Sequence, residues 1–172
     1  MILLLRNRQR TRKVDLRQFR KIIQAALDNL EVAADSELCF HLVAAPEMTR
    51  VNETFLQHAG PTDVLTFDHS FGVPPSGGSG PGNRLKPELQ TLHGEIFICV
   101  DEAVIQAKQF RATWEAEVVR YAIHGMLHLQ GFDDHRAADR RAMKREENRL
   151  LRELGCHFPI SKLASRDIKR RA

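Results

Sequence analysis

A small single-domain α+β fold, a mixed sheet packed with helices, is what this sequence predicts. Three observations point there. The chain has 172 residues, enough for one domain with a sizeable core. Short apolar runs of strand character and longer amphipathic runs follow one another without strict βαβ alternation. One of the helical runs is apolar on almost every side, except along a line that carries two histidines.

The elements can be justified in order. Ile2 to Leu5 is a first apolar strand. Asp15 is a good N-cap for a helix with Leu16, Phe19, Ile22, Ile23, Ala26, Leu27 and Leu30 on one face. Glu37 to Ala44 is apolar enough for a buried strand, Pro46 ends it, and Glu47 to Gln57 predicts a short helix. After the turn signal Gly60-Pro61, Asp63 to Phe67 predicts a third strand. Residues 71–87 hold five Gly and four Pro, which predicts a flexible surface loop inside the domain. Glu95 to Val100 is the fourth strand, and Asp101 is placed to cap a helix reaching about Ala112.

Thr113 can cap the next helix. Trp114, Val118, Ala122 and Met126, with Val119, Ile123 and Leu127 on the adjacent row, make it largely buried, and its polar line runs Glu117, Tyr121, His124, His128. A last helix is expected from about Arg136 to Leu154, closed by Gly155, with Met143, Leu150, Leu151 and Leu154 inward. The domain is expected to span 1–160, with residues 161–172 as a basic tail.

Composition bounds the function. Hydrophobic content of 42% and charged content of 28% describe an ordinary globular chain. The net charge of +4 is unevenly spread. Residues 1–21 hold eight Lys and Arg against Asp15 alone, and the stretch from Ser161 holds five against Asp167. Basic ends suit a polyanion such as RNA, or are simply solvated surface. Cys39, Cys99 and Cys156 are far apart and form no CxxC pair; Cys39 and Cys99 lie in apolar runs and read as reduced core thiols, which fits a cytoplasmic location. The opening apolar run is too short for a signal peptide, and nothing approaches a membrane span.

The chemistry concentrates in His124 to His135, His-Gly-Met-Leu-His-Leu-Gln-Gly-Phe-Asp-Asp-His. Four residues along a helix turn a side chain by about 40° and lift it by roughly 6 Å, so His124 and His128 face one point. Gly131 can stop the helix, and a short turn brings Asp133, Asp134 and His135 back. Two imidazoles with a carboxylate or a third imidazole make a three-ligand metal site with an open position, as in hydrolytic zinc. The bland alternative is a plain helical His pair, a Gly cap and acidic N-cap residues.

The motif has company. Val51-Asn52, then Pro61-Thr62-Asp63-Val64-Leu65-Thr66-Phe67, then Gly94-Glu95-Ile96-Phe97-Ile98, precede it in the order and spacing of one family. The chain resembles the YbeY family of bacterial endoribonucleases and rRNA maturation factors, over nearly its whole length. The resemblance implies a small α+β domain binding one Zn2+. It implies metal-dependent, single-strand-specific endonuclease activity in 3′-end maturation of small-subunit (16S) rRNA and in ribosome quality control. The implied partners are single-stranded rRNA and the small ribosomal subunit, in the cytoplasm and not at a membrane.

His124 and His128 match the first two of the family's three metal histidines. The third falls on Asp134, and His135 lies one residue beyond. The distance to Met143 supports Asp134, an adequate zinc ligand, and His135 serves if the turn is one residue longer. Many members carry a phosphate-touching Arg where Leu56 stands here. Glu95 stands where Asp is common and reads as a structural acceptor. No general base is evident; Glu117 and whichever of Asp134 and His135 leaves the metal free are candidates. Two other functions compete. A zinc metalloprotease would share the helical His pair, but Gly125 occupies the position of the catalytic Glu of HExxH. A non-catalytic ribosome-assembly factor would hold the zinc structurally.

Overall fold

The computed structural model describes residues 1–70 and 90–165. In chain order the elements are β1 (Ile2–Asn7), α1 (Leu16–Asn29), β2 (Glu37–Val43), α2 (Ala45–Leu56), β3 (Val64–Asp68), β4 (His93–Cys99), α3 (Val100–Phe110), α4 (Trp114–Leu129) and α5 (Ala137–His157), then a short 3-10 turn at Ile160–Leu163. The fold is the expected single α+β domain. The expected loop at 71–87 and the tail beyond Ser165 lie outside the described residues.

The four strands form one sheet in the order β1-β2-β4-β3. β1, β2 and β4 run parallel, and β3 pairs antiparallel on β4 as an edge strand. Parallel neighbours need a crossover, and α1 supplies it between β1 and β2. Asp15 starts α1 as its cap, accepting from Arg17 N and Gln18 N, and Phe19, Ile22, Ile23, Ala26 and Leu27 go fully inward.

Strand alternation gives the sheet two unlike faces. Leu38, Phe40, Leu42, Ile96 and Ile98 point into the main core, which they share with α1 and α4. Cys39, His41, Glu95 and Phe97 take the opposite direction. There a smaller cluster of Val43, Met48, Leu65 and Cys99 packs beside residues of α2, while Ile2 and Leu4 of the edge strand stay exposed.

α4 is the central helix and touches β3, β4, α1, α3 and α5. Val118, Val119, Ala122, Ile123, Met126 and Leu127 are all fully buried, and each of them but Ala122 contributes about 1.5–3 kcal/mol. Gly125 sets how close the helix lies to the sheet: a Cβ there would stand 2.7 Å from Ile96 Cγ2 and 3.0 Å from Thr66 Oγ1.

Three expectations need correction. Asp101 does not cap α3, whose N-cap is Cys99; its carboxylate instead accepts from Ala45 N at the start of α2 and from Thr11 Oγ1. Held in this way, α2 begins at Ala45, with Pro46 in its first turn where no N–H is needed. Gly155 does not end α5, which continues to His157. The packed domain also passes residue 160, because Leu163 is fully buried and Val14 bridges Ala164. Among the described residues no helix is long and apolar enough to cross a membrane.

Candidate metal centre

The His motif folds as a helix end followed by a tight return. Thr113 caps α4 by accepting from Ala116 N. At the other end Gly131 adopts φ +85, a left-handed conformation that favours glycine. Gly131 N then donates to His128 O at 2.9 Å and Phe132 N to Leu127 O at 3.0 Å, the paired bonds of a Schellman stop. Phe132 packs against the main core, and its carbonyl faces back to His128.

This geometry fixes both imidazoles. His128 Nδ1 donates to Phe132 O at 3.1 Å. His124 Nδ1 donates to Glu147 Oε2 at 3.3 Å. With both Nδ1 atoms carrying hydrogen, the neutral rings are left with lone pairs on Nε2, and those two atoms face each other at 3.1 Å. Two lone pairs so placed repel unless a cation or a proton lies between them. Zinc–nitrogen bonds of 2.0–2.1 Å in a tetrahedral shell span about 3.3 Å between nitrogens, so the spacing fits a divalent ion. Burial, with His124 close by, lowers the His128 pKa from its ordinary value and favours the neutral form that ligates metal.

The return brings in one carboxylate. Asp133 Oδ1 accepts from Asp134 N at 2.7 Å and from His135 N at 3.1 Å, closing the turn. Arg140 Nε donates to Asp134 O at 3.0 Å. Ligand atoms of His124, His128 and Asp134 thereby come within 4.8 Å of one another. His135 borders the same groove without joining the pair: its side chain is 88% exposed, faces Asp133 at 3.7 Å and groups with Asp133 and Asp134, not with the histidines. The structure brings Asp134, rather than His135, to the histidine pair.

Glu147 is the residue that sequence reasoning missed. It is 3% exposed, and it also accepts from Arg120 Nη1 at 2.6 Å and Lys144 Nζ at 2.7 Å. Burial alone would raise its pKa, but the hydrogen bonds from His124, Lys144 and Arg120 outweigh that and hold the carboxyl at about 2. An ionised carboxylate behind a ligating imidazole orients the ring and raises its basicity. The signal was present, since Met143, Glu147, Leu150 and Leu154 form one inward stripe of α5.

The opposite wall explains the other motifs. Asn52 of α2 donates to Gly60 O at 2.8 Å, and Asp63 Oδ1 accepts from Val64 N and Thr62 Oγ1. These bonds fold the segment leading into β3 along a groove of about 660 Å3 whose lining includes Leu56, His124, His128 and Asp134. A second hollow of about 610 Å3, bordered by Phe110, Arg120, Arg140 and Lys144, shares Asp63, His124 and Asp134 with the first. The centre therefore sits where two open hollows meet.

Other expected site residues lie apart. Leu56 borders the groove, 47% exposed, and puts an apolar side chain where a guanidinium was expected. Glu117 is buried in the second hollow and faces Arg120 Nε at 3.5 Å. Glu95 is on the sheet face away from α4, where it holds His41 at 2.6 Å; it is no part of this centre. Gly125 cannot be replaced by the Glu of a metalloprotease without displacing Ile96 and Thr66. Cys39 is half-buried on that same far face, whereas Cys99 is a core thiol whose pKa burial raises to about 11.

Comparison with known proteins follows the same lines. The sequence profile described as Endoribonuclease YbeY matches residues 4–155. The Endoribonuclease YbeY of Salinibacter ruber is 32% identical over 142 residues, 82% of this chain and 84% of that protein. That of Chloroflexus aggregans is 31% identical over 143 residues, 83% of this chain and 89% of its own length. In fold, the chain is similar to a Thermotoga maritima protein solved in solution, with a TM-score of 0.59, 21% identity, and coverage of 99% of this chain and 100% of that one. The match over residues 4–155, from within β1 into the last turn of α5, with the groove built by the motif residues themselves, means that this chain belongs to the YbeY family of endoribonucleases.

Proposed function

We propose that the protein is a metal-dependent endoribonuclease that cuts single-stranded RNA at the His124–His128–Asp134 centre. It would act on the 3′ end of small-subunit rRNA and in ribosome quality control, within the cytoplasm, with the small ribosomal subunit as partner. The observation that carries the reading is the pair of Nε2 atoms aimed at each other at 3.1 Å beside Asp134, with both Nδ1 atoms already committed.

One Zn2+ held by His124, His128 and Asp134 would supply Lewis acidity toward a phosphodiester and a water for hydrolysis. The protein's own groups do the rest. Glu147 and the Phe132 carbonyl keep the imidazoles in the ligating tautomer. Arg140 holds the backbone of the Asp134 turn. The two hollows give an extended strand a path on either side of the centre, and Phe110, 64% exposed at the edge of one, offers a face for an unstacked base. A purely structural ion would have a closed four-ligand shell; here three donors lie in an open groove.

The test is cleavage of an unstructured RNA oligonucleotide and of its duplex, by protein stripped of metal and then given zinc. Cleavage of the single strand only, restored by zinc and lost in a folded His128→Ala variant, is expected. Equal cleavage without metal, or by that variant, would overturn the proposal.

A further inference from the structure

We propose a second metal site, formed by Cys39, His41, Glu95 and His69 on the sheet face turned away from α4, that takes one divalent cation of the zinc class. It is independent of the reading given to the α4 centre.

The site follows from strand register. β2 and β4 pair in parallel with Cys39 opposite Glu95 and His41 opposite Phe97. Residues 39, 41, 95 and 97 share the face opposite the main core. Ligand atoms of Cys39, His41 and Glu95 accordingly lie within 4.8 Å of one another. His69 follows β3 directly, its backbone tied to His93 O at 2.7 Å, and its Nε2 lies 3.5 Å from Glu95 Oε1. One thiol, one imidazole and one carboxylate of β2 and β4 thus converge, and His69, just past β3, reaches them through Glu95.

Their chemistry selects the ion. A set with one sulfur, two nitrogens and one oxygen suits a borderline cation such as Zn2+ or Co2+; Mg2+ and Ca2+ demand oxygen. A thiolate and a carboxylate also neutralise a dication, so the loaded site carries no net charge. The framework is held in advance. His41 is 2% exposed and stacks on Phe97 at 4.2 Å with an interplanar angle of 3°. Glu95 already touches both imidazoles, at 2.6 Å and 3.5 Å. Access is open, because Cys39, Glu95 and His69 border a surface hollow beside the exposed Ile2 and Leu4.

The ion-free state has its own hydrogen bonds, and they define what uptake must change. Arg8 Nη2 can only donate, so at 3.3 Å it makes His41 Nδ1 an acceptor. His41 Nε2 then carries the hydrogen and donates it to Glu95. On binding, Cys39 releases its thiol proton to solvent, and the His41 hydrogen moves from Nε2 to Nδ1. Arg8 withdraws to Glu47, which it already meets at 2.6 Å.

Cobalt titration of the metal-free full-length protein tests this, because a cobalt–thiolate bond gives a near-ultraviolet charge-transfer band that the sulfur-free α4 centre cannot produce. The band is expected to saturate at one equivalent in a Cys156→Ser background in which His124→Ala and His128→Ala disable the α4 centre, and by two equivalents when that centre is intact. Cys39→Ser should abolish it. His69→Ala, at an exposed position, should weaken cobalt binding roughly tenfold or more, and Arg8→Gln should tighten it. Absence of the band, or its survival in Cys39→Ser, would overturn the proposal whatever the RNA assays show. Unchanged binding in a folded His69→Ala variant would remove His69 from the site.

Discussion

Glu147 Oε2 accepts from His124 Nδ1 at 3.3 Å, joining the α5 stripe to the first histidine of α4 across 23 residues of sequence. The same carboxylate takes Arg120 and Lys144, so one buried anion serves both the packing of two helices and the aim of a metal-facing ring. In Glu147→Gln the charge is lost while an oxygen acceptor remains. Zinc affinity is expected to fall roughly 10–100-fold, measured by competition with a chromophoric chelator.

The same residue gives a pH dependence in the metal-free protein. Its folded pKa of about 2 lies below the unfolded value of about 4.3. A depressed carboxyl stabilises the fold above the unfolded pKa, and the contribution is lost as pH falls through the folded one. The size is about 3 kcal/mol. Urea unfolding at about pH 6 and about pH 3 should show a large loss in the wild type and a smaller one in Glu147→Gln. Glu146, lowered by its hydrogen bond with Arg149, accounts for part of what remains. An identical acid loss in the variant would rule out Glu147 as the cause.

Asp134 and His135 make opposite predictions. Asp134→Ala removes the carboxylate that joins the two histidines as a third ligand, so zinc affinity and RNA cleavage should both collapse. His135→Ala removes an exposed ring beside Asp133 and Asp134 that does not join the histidine pair, and should leave stability within about 0.5 kcal/mol and zinc affinity unchanged. Isothermal titration of both variants decides between them, and a loss confined to His135→Ala would move the third ligand to that residue.

Gly131→Ala tests the return turn. Nothing lies within 4 Å of a Cβ built there, so the cost comes from φ +85 alone, about 1–2 kcal/mol. A relaxed turn would also draw the Phe132 carbonyl from His128. Thermal unfolding and zinc affinity should therefore drop together, whereas a stability loss with unchanged affinity would show that the turn does not aim the ring.

How much of this was legible in the sequence depends on the range of the interaction. The α+β class and the placement of all nine elements were legible, because apolar periodicity and caps such as Asp15 and Thr113 act within a few residues. So was the His124–His128 face, which needs only helix geometry. Asp101 reads locally as a cap because its partners, Ala45 N and Thr11 Oγ1, are brought in only by the sheet. Gly155 reads locally as a stop, yet its surroundings let the helix pass: only Ile160 Cδ1, at 3.9 Å, comes near a Cβ there. Glu147 stayed hidden since a charged residue on an Arg- and Glu-rich helix reads as solvated. Its burial depends on Arg120 and His124 arriving from α4. The Cys39–His41–Glu95 grouping requires the β2–β4 register, which no local pattern specifies.

Leu56 is where this chain departs most from the expected groove, which an introduced guanidinium would complete. The side chain is 47% exposed at the end of α2, so Leu56→Arg has room and should change stability by less than about 0.5 kcal/mol. It would face a groove whose described lining holds His58 and His135 but no Lys or Arg; the cations Arg120, Arg140 and Lys144 border the second hollow instead. One added bidentate phosphate contact at an exposed position is worth up to about 1.4 kcal/mol. KM for a single-stranded RNA should fall by up to about tenfold at low salt, with a steeper dependence of binding on salt concentration. A change in kcat at constant KM would place the new charge against the reacting phosphate itself. No change in either, in a folded variant, would mean that the RNA backbone does not pass Leu56, and that the strand leaves the centre through the second hollow.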